Sequence, residues 1–168
     1  MVEPDFSVRT DAEIKQWIEN YERAGKAADP KYGLLIDELS RRQVGKHKLD
    51  INKSIEHLKT CAMRQEFTTY GALAAASGVA WSKARMHMNG ARGHLDMLLS
   101  YCHSHDLPYL PAICVNQKMK EVGELEDSAL DGFIKGMARL HVRVDDPKAF
   151  HKECCDECWK WGARQSKL

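Results

Sequence analysis

Apolar residues in the first forty positions recur at helical spacing and predict two helices. The first set is Ile14, Trp17, Ile18 and Tyr21. It predicts a helix over residues 11–24, which Thr10 begins as part of a capping box and Gly25 ends. The second set is Tyr32, Leu35, Ile36 and Leu39, and Asp29-Pro30 is a typical start for that helix. The two helices should form an antiparallel hairpin, followed by a basic linker, RRQVGKHK, at residues 41–48.

The middle of the chain has the pattern of one helix followed by a helix-turn-helix. A third apolar stripe predicts a helix that ends near residue 65: Ile51, Ile55, Leu58 and Ala62. The segment FTTY at residues 67–70 is either a strand stub or an extended lead into the next helix. The small residues at 71–77 predict a short helix that Gly78 breaks. Residues 81–89 predict the next helix, for which Ser82 is a candidate cap.

The last third predicts three helices and a β-hairpin. The first helix continues to His105 and ends there, because the residue before Pro108 is pushed out of the helical region. The segment PAICVNQ at residues 111–117 has the pattern of a buried strand, and KMKEVGELE that of a turn with a returning strand. Two apolar stripes predict the final helices: Leu130, Phe133, Ile134, Met137 and Leu140, and then Phe150, Cys154, Cys158 and Trp161.

Together these elements predict a mainly α protein with a small β-hairpin. Their order is that of a winged-helix-like centre flanked by N- and C-terminal helices. We expect an N-terminal helical hairpin at residues 1–45, a winged-helix-like domain at 46–140, and a C-terminal helix at 141–168 that packs on it. A length of 168 residues suits a single core for all three parts.

Composition narrows the class of protein. With 43% hydrophobic and 29% charged residues, the chain is ordinary for a soluble globular protein. No apolar stretch approaches the roughly 18 residues needed to cross a bilayer. The N-terminus has no basic segment followed by an apolar core, so we expect a cytoplasmic protein without a membrane partner. In a reducing compartment its six cysteines are free thiols or metal ligands.

A net charge of +1 conceals an uneven distribution of charge along the chain. Residues 1–40 carry nine acids and five bases, residues 41–66 seven bases and three acids, and residues 67–95 three bases and no carboxylate. The middle third is therefore where a polyanion such as DNA would bind. The acidic N-terminal hairpin is a candidate surface for a protein partner. The acids near the predicted hairpin indicate a solvated turn and a helix start: Glu121, Glu124, Glu126 and Asp127.

The segment TTYGALAAASGVAWSKAR at residues 68–85 resembles the DNA-binding segment of alkylguanine-DNA alkyltransferases and alkyltransferase-like proteins. In that family a tyrosine contacts the phosphate beside an extruded nucleotide, and an arginine of the recognition helix fills the gap in the base stack. Tyr70 and Arg85 occupy the corresponding positions, with one extra residue in the turn between them. The resemblance extends over residues 67–90. With the charge pattern it gives these candidate DNA-binding residues: Tyr70, Trp81, Ser82, Lys83, Arg85 and Arg92.

The chain departs from that family at the reactive cysteine. The alkyltransferases accept the alkyl group on the cysteine of Pro-Cys-His-Arg, whereas the nearest segment here is Pro111-Ala-Ile-Cys114-Val-Asn116. A thiol needs a neighbouring base or positive charge to form a thiolate, and Val115 supplies neither. We therefore expect a non-catalytic DNA-binding protein, either regulatory or lesion-sensing. Two alternatives stay open: a protein-interaction module without DNA binding, and alkyl or group transfer by Cys114.

The C-terminal segment HKECCDECWKW is the candidate metal site. On a helix, His151, Cys155 and Cys158 lie at positions i, i+4 and i+7, so one face would present three zinc ligands. The apolar stripe of the same helix gives a competing interpretation, in which the cysteines are small core residues. We expect no cofactor, with zinc as the alternative. Trp81 has two interpretations as well, as a base-stacking platform or as a core anchor at the start of its helix.

Overall fold

The computed structural model describes residues 4–168, the side chains of residues 43–47 excepted. In this part of the chain the helices are α1 (Asp11–Arg23), α2 (Pro30–His47), α3 (Ile51–Arg64), α4 (Tyr70–Ala76), α5 (Trp81–Met88), α6 (His94–Ser104), α7 (Asp127–Arg139) and α8 (Pro147–Gln165). The described residues also form two short strands, β1 (Thr68–Thr69) and β2 (Cys114–Val115). There are in addition two 3₁₀ turns, Leu110–Ile113 and Gln117–Met119. The prediction of a mainly α protein with a small β element is confirmed.

Side-chain caps begin several of the helices, and the capping box predicted at Thr10 is one of them. The capping box of α1 is complete: the Thr10 hydroxyl accepts from the Glu13 amide at 3.2 Å, and the Glu13 carboxylate accepts from the Thr10 amide at 2.8 Å. Asp50 and Thr69 cap α3 and α4 in the same manner. The predicted cap of α5 is wrong, because Ser82 lies inside the first turn, and no side chain caps that helix.

The linker predicted at residues 41–48 is wrong, because α2 extends through most of it. The Arg42 guanidinium donates to the carboxylates of Glu38 at 2.6 Å and Asp11 at 2.9 Å. The bond to Asp11 fastens α2 to the start of α1, and the bond to Glu38 lies within α2. The chain turns at Lys48, which adopts a φ of 64°.

The β-hairpin predicted after residue 110 is not formed. Thr68–Thr69 pairs in parallel with Cys114–Val115, and these strands are the whole sheet in the described residues. Beyond the second strand, the Asn116 side chain accepts from the Lys118 amide at 3.2 Å and begins a 3₁₀ turn instead of a returning strand. Gly123, with a φ of 74°, then redirects the chain. The described part of the chain therefore has a helix-turn-helix without a hairpin wing.

One hydrophobic core joins the three segments predicted from the sequence. Its buried residues form a single cluster that runs from Phe6 to Cys158. Helix α2 packs on α6, while α8 packs across α3 and the first 3₁₀ turn. The crossing of α8 and α3 is close at Gly162, where a β-carbon would overlap the carbonyl group of Ala62. Among the described helices, none combines the length and apolar character that crossing a membrane requires.

Gly162→Ala should destabilise the protein, whereas Gly132→Ala should not. The new methyl group at residue 162 meets the backbone of Ala62, and overpacking of this kind costs about 1–3 kcal/mol. Gly132 in α7 has open space where a β-carbon would lie, so alanine there should stabilise by about 0.4–1 kcal/mol. Urea unfolding measures both free energies. Equal values for the two variants would contradict the close crossing of α3 and α8.

Candidate nucleic-acid interface

Helices α4 and α5 occupy the segment that the sequence predicts as a helix-turn-helix, and we refer to this pair of helices by that name. The Thr69 hydroxyl accepts from the Ala72 amide at 3.2 Å and begins α4. Gly78, with a φ of 72°, makes the turn between the two helices. Both helices pack inward through small or flexible side chains: Leu73, Ala74, Ala84 and Met88. The opposite face of α5 is therefore turned to solvent.

The outward face of α5 carries positive charge and no carboxylate. Its exposed side chains after the first residue are Ser82, Lys83, Arg85, Met86 and His87. Met86 is 79% exposed and stands opposite the buried pair Ala84 and Met88 on the helix. The sequence patterns did not single it out. The signal that identifies it is its position on the helical wheel, since an apolar residue opposite the buried face is unexplained by packing.

Tyr70 and Trp81 stack on each other at the beginnings of α4 and α5. Their ring centroids are 6.3 Å apart and their planes differ by 18°. Burial raises the pKa of the Tyr70 hydroxyl, and the nearby Cys114 and Glu126 raise it further, so the phenol stays protonated and able to donate. The Trp81 side chain is 40% exposed. It is thus an anchor through its contact with Tyr70 and still offers part of its ring to a ligand.

Arg92 is held inside the protein and leaves the candidate DNA-binding set. Its guanidinium donates to both carboxylate oxygens of Glu22, at 3.3 and 2.8 Å, and its side chain is only 15% exposed. Glu22 also accepts from the hydroxyl of Tyr32 at 3.0 Å. The sequence shows Arg92 in a segment without carboxylates, but its partner lies 70 residues earlier in the chain.

Glu22→Gln should lower the free energy of unfolding by about 3 kcal/mol, because it removes the close, buried counter-charge of an arginine side chain that is only 15% exposed. Glu19→Gln is the matched control. Its carboxylate is exposed and 4.0 Å from the same guanidinium, so the change should stay below about 0.5 kcal/mol. Urea unfolding of both variants measures the difference. A small and equal effect would mean that Arg92 does not depend on the buried carboxylate.

A cavity of about 610 Å³ lies between the helix-turn-helix and α7. Its wall includes Trp81 from the start of α5 and the Asn89-Gly90 turn that directly follows α5. Aromatic rings and polar side chains share the rest of the lining: Tyr70, Phe133, Asn116 and Glu126. Several lining residues are exposed, so the cavity opens to solvent, and Trp81 is the residue of α5 that borders it. We refer to it as the α5–α7 cavity.

Most charged side chains around the α5–α7 cavity have close partners. Asp96 is paired with Arg139, and Asp131 with Lys135 at 2.8 Å. Glu126 is different, because its ion pair spans 3.6 Å to the exposed lysine at position 118 and contributes little in water. Among the described residues that line the cavity, Glu126 therefore carries the least compensated charge, and it is negative.

Cys114 lies in the wall of this cavity as a neutral thiol. It is fully buried, and burial together with the neighbouring Cys61 raises its pKa. The nearest histidine contact in this region belongs to Cys61, whose sulfur lies 3.6 Å from Nε2 of His57. His57 in turn bonds to the hydroxyl of Thr68 at 2.8 Å. Among the described residues, neither burial nor Cys61, the two influences on the Cys114 thiol, favours its thiolate form.

Cys114 should stay unmodified when the folded protein is incubated with alkylated DNA or with iodoacetamide near neutral pH. Its raised pKa keeps the thiol protonated, and only a more alkaline pH would increase its reactivity. Intact-mass and peptide-mass measurements test this. The control is the urea-unfolded protein, in which all six cysteines should react with iodoacetamide. Rapid alkylation of Cys114 in the folded state would restore the hypothesis of cysteine-based transfer.

The candidate zinc ligands bond to main-chain carbonyl groups. His151 Nε2 donates to the carbonyl oxygen of Ala112 at 2.8 Å, and the Cys155 thiol donates to the same oxygen at 3.4 Å. The Cys158 thiol donates to the carbonyl oxygen of Tyr109 at 3.6 Å. Burial lowers the pKa of His151 and raises that of Cys155 to about 12, so both are neutral. Throughout residues 4–168, as described, no group of three or more metal-ligating side chains comes together.

Comparison of this chain with protein-family models, with curated proteins and with solved structures finds no match. The resemblance to the alkyltransferases over residues 67–90 stays a prediction. The fold is mainly helical, and the site combines a basic outward face of α5 with a cavity that begins at Trp81 and the turn after α5.

Proposed function

We propose that this protein is a non-catalytic DNA-binding protein that places α5 on the duplex. The observation that carries the proposal is the outward face of α5, which exposes Lys83 and Arg85 and has no carboxylate. Such cations displace the counterions of DNA phosphates, which gives affinity that falls with salt. A helix of this width fits the major groove, which is about 12 Å wide.

Each exposed residue of α5 has its own expected contact with DNA. On the helix, Lys83 and Arg85 flank Met86 on opposite sides, so the two cations meet the DNA on either side of the outermost residue. An arginine can donate two hydrogen bonds to guanine, and a lysine acts as a point charge on phosphate. Met86 would make apolar contact with a thymine methyl group, and Ser82 would bond to phosphate or base edges.

Tyr70 and the α5–α7 cavity support the lesion-sensing form of the proposal. The neutral hydroxyl of Tyr70 can donate to a phosphate oxygen, which is the role that the resemblance implies for it. Proteins that inspect a base extrude it from the stack into a pocket. The cavity of about 610 Å³ falls within the range of about 300–1,000 Å³ that is usual for small-ligand sites.

The alternative, a protein partner bound by the acidic N-terminal hairpin, has less support. Three of the acids that make this segment negative are engaged within the protein: Asp11 and Glu38 with Arg42, and Glu22 with Arg92. The surface charge available to a partner is therefore smaller than the sequence indicates. The six cysteines are free and buried, which fits a reducing compartment, and the proposal places the protein in the cytoplasm.

Lys83→Ala combined with Arg85→Ala should weaken binding to duplex DNA by about 10- to 100-fold, as expected when two groove contacts are lost. The slope of log affinity against log salt should also fall by about one, because Lys83 is the phosphate contact of the pair and each phosphate contact contributes about 0.9. Anisotropy of a labelled duplex between about 50 and 200 mM salt measures both quantities.

The matched control is Lys148→Ala combined with Arg164→Ala, which removes the same two charge types from exposed positions of α8. It should leave affinity and salt slope nearly unchanged. If the α5 variant binds DNA as the control does, or if the wild-type protein shows no salt-dependent binding, the proposed function is wrong.

A further inference from the structure

We propose that the α5–α7 cavity binds a planar nitrogen heterocycle that carries a positive charge, such as an N-alkylated purine. The ligand has two sources, a free nucleoside or an extruded nucleotide of DNA. Binding of the free nucleoside is independent of DNA binding, whereas recognition within DNA rests on the proposed function.

Aromatic rings supply the first part of the recognition. Tyr70 and Trp81 line the cavity as a nearly parallel pair, and Phe133 adds a ring from α7. A planar ligand gains contact area by stacking on such rings. The negative faces of the rings also attract a cation, most strongly at Trp81, so positive charge on the ligand adds to the stacking.

The carboxylate of Glu126 supplies the second part. Glu126 occupies the N-cap position of α7, yet its side chain makes no capping hydrogen bond, so the carboxylate is not engaged by the helix. Its contacts are the distant ion pair to Lys118 at 3.6 Å and the Asn116 amide at 3.5 Å. Its charge also contributes to the raised pKa of Tyr70, which is consistent with a carboxylate close to the aromatic wall.

The surrounding charges confine a cationic ligand to the cavity. The other carboxylates of the wall have closer cationic partners: Asp96 is paired with Arg139, and Asp131, which is more exposed than Glu126, is paired with Lys135 at 2.8 Å. The outward face of α5 is basic and repels a cation. Glu126 is thus the group that distinguishes a charged heterocycle from a neutral one of the same shape, because a carboxylate in a partly desolvated site interacts more strongly with charge than one in water.

The test uses two isomeric nucleosides with the full-length protein. At slightly acidic pH 1-methyladenosine is a cation, whereas N6-methyladenosine has the same atoms and is neutral. Isothermal titration calorimetry should show about 10-fold tighter binding of the cation to the wild-type protein, the size expected for combined cation–π and carboxylate contacts. Equal affinity for the two isomers, or no binding of either, would overturn the proposal.

Variants identify the group responsible. Glu126→Gln should remove most of the preference for the cation, leaving only the part that comes from the aromatic rings, and should not change the affinity for N6-methyladenosine. Glu121→Gln, which changes an exposed acid of the same loop that does not line the cavity, should preserve the preference. Trp81→Leu should weaken the binding of both nucleosides. If acetyl-arginine amide displaces 1-methyladenosine with equal or higher affinity, the cavity is a site for protein side chains and the proposal is wrong.

A second arm separates the two sources of ligand. A duplex with one 1-methyladenine should bind more tightly than the unmodified duplex, and Glu126→Gln should reduce that difference alone. The double variant Lys83→Ala, Arg85→Ala should bind both duplexes more weakly and bind the nucleosides with unchanged affinity. Nucleoside discrimination without DNA binding would refute the proposed function and support the cavity. DNA binding without nucleoside discrimination would refute the proposed ligand of the cavity and support the proposed function.

Discussion

The buried ion pair between Glu22 and Arg92 connects parts of the protein that the sequence keeps far apart. Glu22 lies on α1, and Arg92 lies in the loop that follows α5. The backbone amide of Arg92 donates to Asp96 at 2.9 Å, and Asp96 is paired with Arg139 of α7. A chain of charge contacts thus runs from the N-terminal hairpin to α7 past the end of α5. Because a buried charge requires its partner, these contacts fix how the N-terminal hairpin meets the helix-turn-helix.

The local elements could be predicted because their causes are local. The capping box at Thr10, the left-handed glycine at residue 78 and the apolar stripes act over a few residues, and the structure contains those helices. The errors have distant causes. Arg42 of α2 reaches Asp11 of α1, 31 residues earlier, and β2 pairs with residues 46 positions earlier instead of with its own returning segment. The spacing of residues along the chain cannot predict either of these distant partners.

The same difference between local and distant causes determines which residues of the candidate site could be predicted from the sequence. Lys83 and Arg85 could be placed outward, because the helical pattern of α5 buries Ala84 and Met88. Arg92 could not be recognised as internal without Glu22. Glu126 was assigned to a solvated turn, and only the packing of α7 beside the helix-turn-helix brings it to a cavity with Tyr70 and Trp81. The cavity forms through tertiary packing, so no local sequence motif predicts it.

The basic helix face and the acidic cavity make opposite electrostatic demands on a ligand. A phosphate is attracted by Lys83 and Arg85 and repelled by Glu126, while a cationic ring is attracted by Glu126 and repelled by the helix face. A free anion or a free cation therefore satisfies only one of the two surfaces. A nucleotide with a charged base satisfies both, with its phosphate at α5 and its ring in the cavity. If the proposed function holds, the two surfaces therefore act as one site and not as two unrelated features.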